Sequence, residues 1–356
     1  MKKFTILESL RGFAAIYVAT GHWIIEKSKL PSYITLFFRF GQEAVIIFFI
    51  LSGFVIFYSH NKSKDKSIGN YFIKRFRRIY FPLFCAFIVS FVFVNQKFVL
   101  KELIGNLLML QDFVSGKPGN FVQPFLGNRP LWSLSYEWVF YLIFPFVFPV
   151  IEHNKHRVHI IGIFSLINLI IYILYPNHIF LVLSYFMIWW TGLEMGEYFF
   201  GDSSKFQYKT LMSYYVVFLI ILSFTSYVYH KTDKNMLIGY YPYLLLRHFG
   251  FAFFCLVLTI YATSITKKVI SMISWFSAIS PISYGIYILH YPLWVQTSFG
   301  LSPALEIPLK IALLIGLAYL IEIILQPLAN KLIRTRPIIQ PKTPVVTIEF
   351  VADRIN

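Results

Sequence analysis

Two ionisable residues lie inside the first apolar stretch of the sequence, and their spacing places them on one face of a helix. Arg11 and His22 are eleven residues apart, which at about 100° per residue is about 20° beyond three full turns. They would share a helix face about 16 Å apart along the axis, with the small residues Ala15 and Val18 between them. Buried ionisable groups are costly unless they are paired or face water. Arg11 therefore either reaches the headgroups while His22 bonds a neighbouring helix, or the two serve chemistry, with His22 as a general base.

A third ionisable residue lies in the segment RPLWSLSYEWVFYLIFP, where Ser133, Glu137 and Tyr141 share one helix face by their four-residue spacing. If this helix runs inward from the outer surface, Glu137 lies within two turns of the outer end, at the depth expected for His22. A carboxylate beside an imidazole orients the ring and supports it as a general base. The sequence therefore predicts that Glu137 positions His22.

Four basic residues are concentrated in the segment KSKDKSIGNYFIKRFRRIYFP, namely Lys74, Arg75, Arg77 and Arg78. Such a cluster can act on topology alone, because cytoplasmic loops of membrane proteins carry an excess of lysine and arginine. Guanidinium groups also bind phosphate in a bidentate way, so the same cluster can hold a phosphorylated ligand. The residues by themselves leave both interpretations open.

The segment SPISYGIYILHYPLW repeats the pattern of polar residues on one helix face, with Ser283, Tyr287 and His290. A hydrogen-bonding role inside the membrane is the simpler interpretation of His290. A supporting or substrate-binding role for Tyr287 and His290 is the alternative.

Composition indicates which elements must position these residues. Hydrophobic residues make up 57% of the 356 residues and charged residues 13%, and the mean hydropathy is +0.65. Such a chain cannot keep its apolar surface out of water, so we expect an all-α integral membrane protein. Its net charge of +16 lies between apolar stretches and favours lipid headgroups or a phosphate-bearing ligand over nucleic acid. The isolated residues Cys85 and Cys255 indicate no disulfide framework and no metal cluster.

Apolar runs of about 20 residues predict a bundle of about ten transmembrane helices in one membrane-embedded domain, residues 1–330, followed by a short basic cytoplasmic tail, residues 331–356. The predicted spans are 8–25, 37–58, 79–96, 131–151, 158–175, 178–199, 211–230, 244–264, 280–299 and 305–329. Residues 102–113 form a stretch too short to cross, which we expect at the interface.

The distribution of basic residues predicts the orientation. With ten spans and a cytoplasmic N-terminus, the segments assigned to the inside carry 20 lysines and arginines and the opposite segments carry 8. Both termini are therefore expected in the cytoplasm. Glu8 and Arg11 interrupt the first apolar stretch and no A-x-A site follows it, so we interpret it as an uncleaved first helix.

Five pieces of the sequence, taken in order, resemble acyltransferase family 3, the integral-membrane acyltransferases that commonly O-acetylate surface polysaccharides. They are Arg11-x10-His22, VIIFFILSGFVI, RFRRIYFP, WSLSYE and ISYGIYILHYPL, within a resemblance that runs from Leu7 to about Pro327. The resemblance implies ten spans in the inner, cytoplasmic membrane. It also implies acyl-CoA, most simply acetyl-CoA, as a cytoplasmic co-substrate, and an acceptor hydroxyl on an extracellular polysaccharide, an O-antigen-like chain or a lipid-linked sugar.

The family's functional residues map onto this sequence by motif. Its paired arginine and histidine match Arg11 and His22, its buried glutamate matches Glu137, and its basic loop matches Arg75, Arg77 and Arg78.

Two positions depart from the family pattern. Ile46 stands at the usual acidic position of the second span, where Glu43, one turn earlier, either substitutes for it or leaves that role lost. The frequent E-x-P near the end reads Leu325-Gln326-Pro327, with Glu322 about one turn back, and the sequence assigns Glu322 no role.

The predicted function is transfer of an acyl group to a carbohydrate hydroxyl, with His22 as the general base and no bound cofactor or metal. Direct transfer requires no acyl-enzyme, and no G-x-S-x-G elbow suggests one, but Ser133, Ser135 or Tyr136 could carry such an intermediate, so both routes remain open. The alternatives are a transporter or flippase of a lipid-linked sugar, whose usual sign, an internal repeat, does not appear, and a non-catalytic partner in a polysaccharide assembly complex.

Overall fold

The described residues fold into helices joined by short loops. The structure, a computed structural model, describes residues 3–28, 30–113, 116–232, 239–261, 268–269 and 271–332. Within these ranges the one extended pairing is an isolated bridge between Gln111 and Val122. The predicted tail lies almost entirely outside the described residues, and so do the last three residues, 262–264, of the predicted span 244–264.

Fourteen α-helices are described. In chain order they are α1 Lys3–Lys27, α2 Ser32–Leu36, α3 Gly41–Lys62, α4 Ile68–Phe93, α5 Leu100–Leu107, α6 Trp132–Ile151, α7 Arg157–Leu174, α8 His178–Ser184, α9 Phe186–Phe200, α10 Tyr208–Thr232, α11 Tyr243–Tyr261, α12 Ser283–His290, α13 Pro303–Tyr319 and α14 Gln326–Leu332. A 3₁₀ segment, Ser274–Ile282, precedes α12, and π-helical segments follow α12 (Tyr291–Gln296) and α13 (Leu320–Leu325).

Eight helical segments of the described chain are long and apolar enough to cross a membrane. They are Ser32–Lys62, Ile68–Phe93, Arg129–Ile151, Arg157–Leu174, His178–Phe200, Ser203–Thr232, Tyr243–Tyr261 and Pro303–Lys331. The protein is thus an all-helical, multi-pass membrane protein. The two other predicted spans coincide with α1 and with the irregular run Ser274–Gln296, and the total of ten remains a prediction.

Several predicted boundaries differ from the observed ones. Helix α4 begins at Ile68, where the Ser67 hydroxyl accepts from the backbone N–H of Asn70, so the basic cluster lies on a helix and not in the expected loop. The predicted span 178–199 is divided at Tyr185 into α8 and α9. Hydropathy averages over such local changes of backbone, which depend on tertiary packing.

The centre of the bundle is the contact between α3 and α9. Residues Phe186 to Glu197 of α9 are all buried, as expected for a helix that is apolar around its whole circumference. Glycines bring the two backbones together: a Cβ on Gly192 would lie 1.8 Å from the Ile50 carbonyl oxygen, and one on Gly53 2.1 Å from that of Trp189. Small residues at helix contacts are how membrane helices reach close packing.

Helix α1 packs against α3, α12 and the 3₁₀ segment Ser274–Ile282. Gly12 makes the last of these contacts possible, because a Cβ there would lie 2.0 Å from the Phe276 carbonyl oxygen. This packing places the face of α1 that carries Arg11 and His22 toward α12, which ends at His290.

Candidate active site

A cavity near the start of α1 brings together three arginines and one glutamate. It has a volume of about 150 Å³ and is lined by residues that include Arg11, Ser52, Arg75, Arg78, Glu137 and Tyr141. We call it the arginine cavity. Four helices, α1, α3, α4 and α6, supply these side chains.

Hydrogen bonds fix the wall of the arginine cavity. The Tyr141 hydroxyl donates to the carboxylate of Glu137, one turn earlier on α6. The Ser52 hydroxyl, 2.9 Å from the Tyr141 oxygen, then donates to it and itself accepts from the indole N–H of Trp189 at 3.2 Å. The Arg75 guanidinium donates to the Ser59 hydroxyl at 3.1 Å and lies over the Tyr141 ring. The cavity is therefore a fixed cationic site with one balancing carboxylate.

A second basic cavity adjoins the first. Lys74, Arg77 and Arg78 line it together with Glu322 and Gln326, and its volume is about 370 Å³. Arg78 belongs to both cavities, and its guanidinium donates to the Glu322 carboxylate at 2.8 Å. We call this second cavity the basic groove. All four residues of the predicted basic cluster thus line one of two neighbouring cavities.

Toward the other end of α1, His22 forms a pair with His290 of α12. His22 Nδ1 lies 2.9 Å from His290 Nε2, and the two rings are nearly parallel with centroids 5.2 Å apart. His290 Nδ1 lies 3.2 Å from the backbone carbonyl oxygen of Ile286. A carbonyl oxygen only accepts, so Nδ1 of His290 is the donor and Nε2 of the neutral ring is an acceptor. His22 Nδ1 then donates to it, which leaves the lone pair of His22 on Nε2.

Two tyrosines of the α12 region join the histidine pair to cavities on either side. Tyr287 lines the arginine cavity, and its ring centroid is 6.1 Å from that of His290. Tyr291 packs edge-on against His22, with centroids 5.3 Å apart, and lines a third cavity. The histidine pair therefore lies between two cavities.

The third cavity has a volume of about 400 Å³ and lies beyond the end of α1. Its polar lining includes Glu26, Gln96, Gln123, Arg129, Tyr291 and Gln296. We call it the glutamine cavity. The Tyr291 hydroxyl donates to the Glu26 carboxylate at 3.0 Å, and Arg129 lies 3.5 Å from the same carboxylate.

Glu137 does not occupy the position that the sequence predicted for it. Its described contacts are in the arginine cavity, with Tyr141, and His22 is paired with His290 instead. Two residues at a similar depth in the membrane lie at the same height in the bundle, but their depth does not determine whether the helix faces that carry them point toward each other. Here the face of α6 that carries Glu137 is turned to α3 and α4, and α12 supplies the neighbour of His22.

The other predicted residues separate into two groups. Ser133 and Tyr287 lie in the wall of the arginine cavity, with their hydroxyl oxygens 2.8 Å apart. Ser135 is fully buried and donates to the Trp132 carbonyl oxygen at 2.8 Å, and Glu43 pairs with Arg247 at 2.5 Å. Of the hydroxyls considered for an acyl-enzyme, the one on Ser133 borders a cavity.

Tyr136 belongs to a buried network that anchors the segment between α5 and α6. Its hydroxyl donates to Asp112 at 2.7 Å, and Lys117 donates to the same carboxylate at 3.1 Å. Burial by itself raises the pKa of Asp112, but Lys117 and His178 together hold it below its ordinary value. These side chains are almost fully buried, so the network is a structural anchor for the loop that leads into α6.

Sequence reasoning missed the glutamine cavity and the partner of Arg78. Glu26 follows His22 by four residues and so lies on the same helix face, which is a signal that the spacing contained. Gln296 and Glu322 lie on the two π-helical segments, and such local widening of a helix is frequent at functional sites. The periodicity of the sequence does not reveal such π-helical widening.

Within the described part of the chain, no three His, Cys, Asp or Glu side chains gather as a metal site requires.

The fold and this buried, charged site define a membrane-embedded protein with charged and polar cavities between its helices. The sequence model of the family described as acyltransferase domain, acyltransferase family 3, matches residues 4–326. The chain belongs to this family. The match covers nearly all described residues and includes the arginine cavity, the basic groove, the histidine pair and the glutamine cavity.

Two curated relatives carry related descriptions. Residues of this chain are 32% identical over 155 positions to acyltransferase MdmB of Streptomyces mycarofaciens, covering 39% of this chain and 38% of the relative. They are 25% identical over 181 positions to an O-acetyl transferase of Shigella phage Sf6, covering 48% of this chain and 54% of the relative. The chain thus spans about a third to a half of the length of these relatives. No solved structure is matched.

Proposed function

We propose that this protein is a membrane-bound O-acyltransferase that moves an acyl group, most simply acetyl, from acyl-CoA to a hydroxyl of a cell-surface or lipid-linked carbohydrate. The observation that carries the proposal is the position of the histidine pair between the arginine cavity and the glutamine cavity. The general base of an acyl transfer must lie near both substrates, here the charged acyl-CoA and the polar carbohydrate. The names of the family and of the two relatives support the same reaction class.

The donor binds on the arginine side. Lys74, Arg77 and Arg78 of the basic groove attract the nucleotide phosphates, since guanidinium groups hold phosphate bidentately and keep their charge. Arg75, in the adjoining arginine cavity, contributes to the same phosphate site. Arg78 borders both cavities, so the pantetheine arm runs past it into the arginine cavity toward Tyr287. Arg11 and His22 are about 16 Å apart by helix rise, a length that an extended pantetheine arm covers.

The transfer step follows from the tautomer of the histidine pair. The acceptor hydroxyl gives its proton to His22 Nε2 while its oxygen attacks the thioester carbonyl carbon. The carbon–sulfur bond then breaks, the ester stays on the sugar, and the leaving thiolate takes the proton back from His22. His290 accepts from His22 Nδ1 throughout and so keeps the lone pair directed at the acceptor.

The proposed orientation places the basic groove on the cytoplasmic side of the inner membrane, with both termini inside and about ten spans. The excess of basic residues in the segments assigned to the cytoplasm supports this orientation. Acyl-CoA then approaches from the cytoplasm and the carbohydrate from the opposite side.

Sealed membrane vesicles test reaction and orientation together. In inside-out vesicles loaded with surface polysaccharide from cells that lack the gene, we expect external labelled acetyl-CoA to label the enclosed polysaccharide. Right-side-out vesicles with both reagents outside should stay unlabelled until detergent opens them, because acetyl-CoA does not cross a bilayer. Absence of labelling in every detergent-treated sample would exclude the reaction, and labelling by intact right-side-out vesicles would invert the orientation. Movement of lipid-linked sugar without any labelling would favour the flippase alternative.

Arg75 provides a test of the donor side with a matched control. We expect Arg75→Ala to raise the KM for acetyl-CoA by about 10- to 100-fold, because a hydrogen bond to a charged group contributes about 1.5–3 kcal/mol. Arg75→Lys should recover part of the loss. Lys64→Ala removes an exposed positive charge from the neighbouring loop and should leave this KM unchanged. An equal KM in Arg75→Ala and the wild type would leave the arginine with a topological role.

A further inference from the structure

We propose that the glutamine cavity binds the sugar unit that carries the acceptor hydroxyl, an inference that rests on the proposed acyl transfer to carbohydrate. The cavity adjoins the reacting end of the site: Tyr291 forms part of its wall and contacts the His22 ring. Glu26, another part of the wall, follows His22 by one turn of α1. His22 itself does not line the cavity, so a sugar held here reaches its imidazole past Tyr291, from the side opposite the donor.

The size and shape of the cavity fit a sugar. Ligand sites of small molecules measure about 300–1,000 Å³, and this cavity of about 400 Å³ lies within that range. It is partly open, so a longer chain can extend out of it while one residue lies inside.

The lining offers the hydrogen bonds that hydroxyl groups need. A sugar hydroxyl both donates and accepts, and side-chain amides supply both kinds of partner. The amide nitrogen of Gln296 donates to the Leu126 carbonyl oxygen at 2.8 Å, whereas its buried Oε1 has no hydrogen-bond partner among the described residues. A buried acceptor without a partner is costly, and a ligand hydroxyl would satisfy it.

The backbone at Gly127 brings a second amide to the same place. This residue has a φ of +67°, and a Cβ there would lie 2.8 Å from Gln96 Oε1 and 3.0 Å from Gln296 Nε2. The left-handed conformation and the missing side chain therefore allow both glutamines to approach one turn. Phe113 and Tyr291 add aromatic surface against which the apolar face of a sugar ring can pack.

The charged residues that line the glutamine cavity differ from those that line the donor side. The arginine cavity holds Arg11, Arg75 and Arg78 against Glu137, as suits an anionic ligand. In the glutamine cavity the carboxylate of Glu26 pairs with Arg129 at 3.5 Å, and Lys27, which also lines the cavity, leaves one positive charge there, one fewer than in the arginine cavity. A wall with three glutamine side chains and one unbalanced positive charge suits a polyhydroxyl ligand better than a nucleotide phosphate.

The test measures the two substrates separately. Surface polysaccharide purified from cells lacking the gene serves as the acceptor and labelled acetyl-CoA as the donor, with detergent-purified full-length protein. We expect Gln296→Leu to raise the apparent KM for polysaccharide by about 3- to 10-fold, the loss typical of hydrogen bonds to a neutral ligand. The double variant Gln96→Leu, Gln296→Leu should exceed 10-fold. The KM for acetyl-CoA should stay unchanged, which also shows that the variant is folded.

Controls make each outcome decisive. Gln207→Ala changes a half-buried glutamine outside the lining of the three cavities and should leave both KM values unchanged. If Gln296→Leu does not fold, Gln96→Leu tests the same wall through an exposed side chain. Wild-type acceptor KM in the double variant would overturn the acceptor site alone. Failure of the wild type to label the polysaccharide would overturn the proposed function itself.

Discussion

Replacing His22 with alanine is expected to lower acyl transfer by 10²- to 10⁴-fold, the contribution that a general base typically makes. A sugar hydroxyl is a poor nucleophile at neutral pH and needs a base to take its proton. The hydrogen bonds of the histidine pair leave the free lone pair of His22 on Nε2, directed away from His290. The variant removes that lone pair and leaves the cavities on both sides in place. The rate of transfer from labelled acetyl-CoA to polysaccharide measures the loss.

The control for this experiment is another histidine of the same chain. His230 is exposed in the last turn of α10, so His230→Ala should transfer at the wild-type rate. The KM for acetyl-CoA and the elution profile in detergent should be the same for both variants, because one imidazole contributes little to a membrane fold of this size. Near-normal transfer by a well-folded His22→Ala protein would remove His22 from the mechanism and direct attention to His290.

The second large effect is expected at His290, which we propose as a positioning residue. His290→Leu keeps the volume of the side chain but loses the acceptor for His22 Nδ1–H, so His22 is no longer held in the reactive tautomer. We expect kcat to fall by about 10- to 1,000-fold, which is a smaller loss than the 10⁴-fold loss that a wrong tautomer causes in serine proteases. The KM values of donor and acceptor should change little, because His290 lines neither cavity.

A glutamine at the same position distinguishes positioning from packing. The Oε1 atom of glutamine lies at nearly the reach of a histidine Nε2 and can accept from His22 Nδ1. His290→Gln should therefore recover much of the kcat that His290→Leu loses. A purely structural role for His290 predicts equal losses in both variants, together with lower stability in detergent.

Much of the fold could be predicted from hydropathy because membrane helices need a long apolar run, which each observed span contains. The sequence predicts the basic cluster but places it in a loop, because loops are rich in charged residues, whereas the capped helix α4 already begins at Ile68. The division at Tyr185 and the π-helical segments could not be predicted, since they arise from packing between distant helices.

The site was predictable along each helix but not between helices. The eleven-residue spacing of Arg11 and His22 correctly put both on the face of α1 that borders the site. The partner of His22 is 268 residues away in the chain, and one sequence contains no information about which of several polar helices lies beside it. Depth alone predicts Glu137 beside His22, but the lateral arrangement of the bundle places it in the arginine cavity, with Arg11, Arg75 and Arg78.

The rings between the two cavities have a consequence for the cell that contains this protein. A continuous water path between the two faces of a bilayer would conduct protons and dissipate the proton-motive force. The rings of Tyr287, His290, His22 and Tyr291 contact one another in that order, between the arginine cavity and the glutamine cavity. In the proposed transfer the acyl group passes between two cavities that this row of rings separates, so the reaction needs no continuous water path across the bilayer.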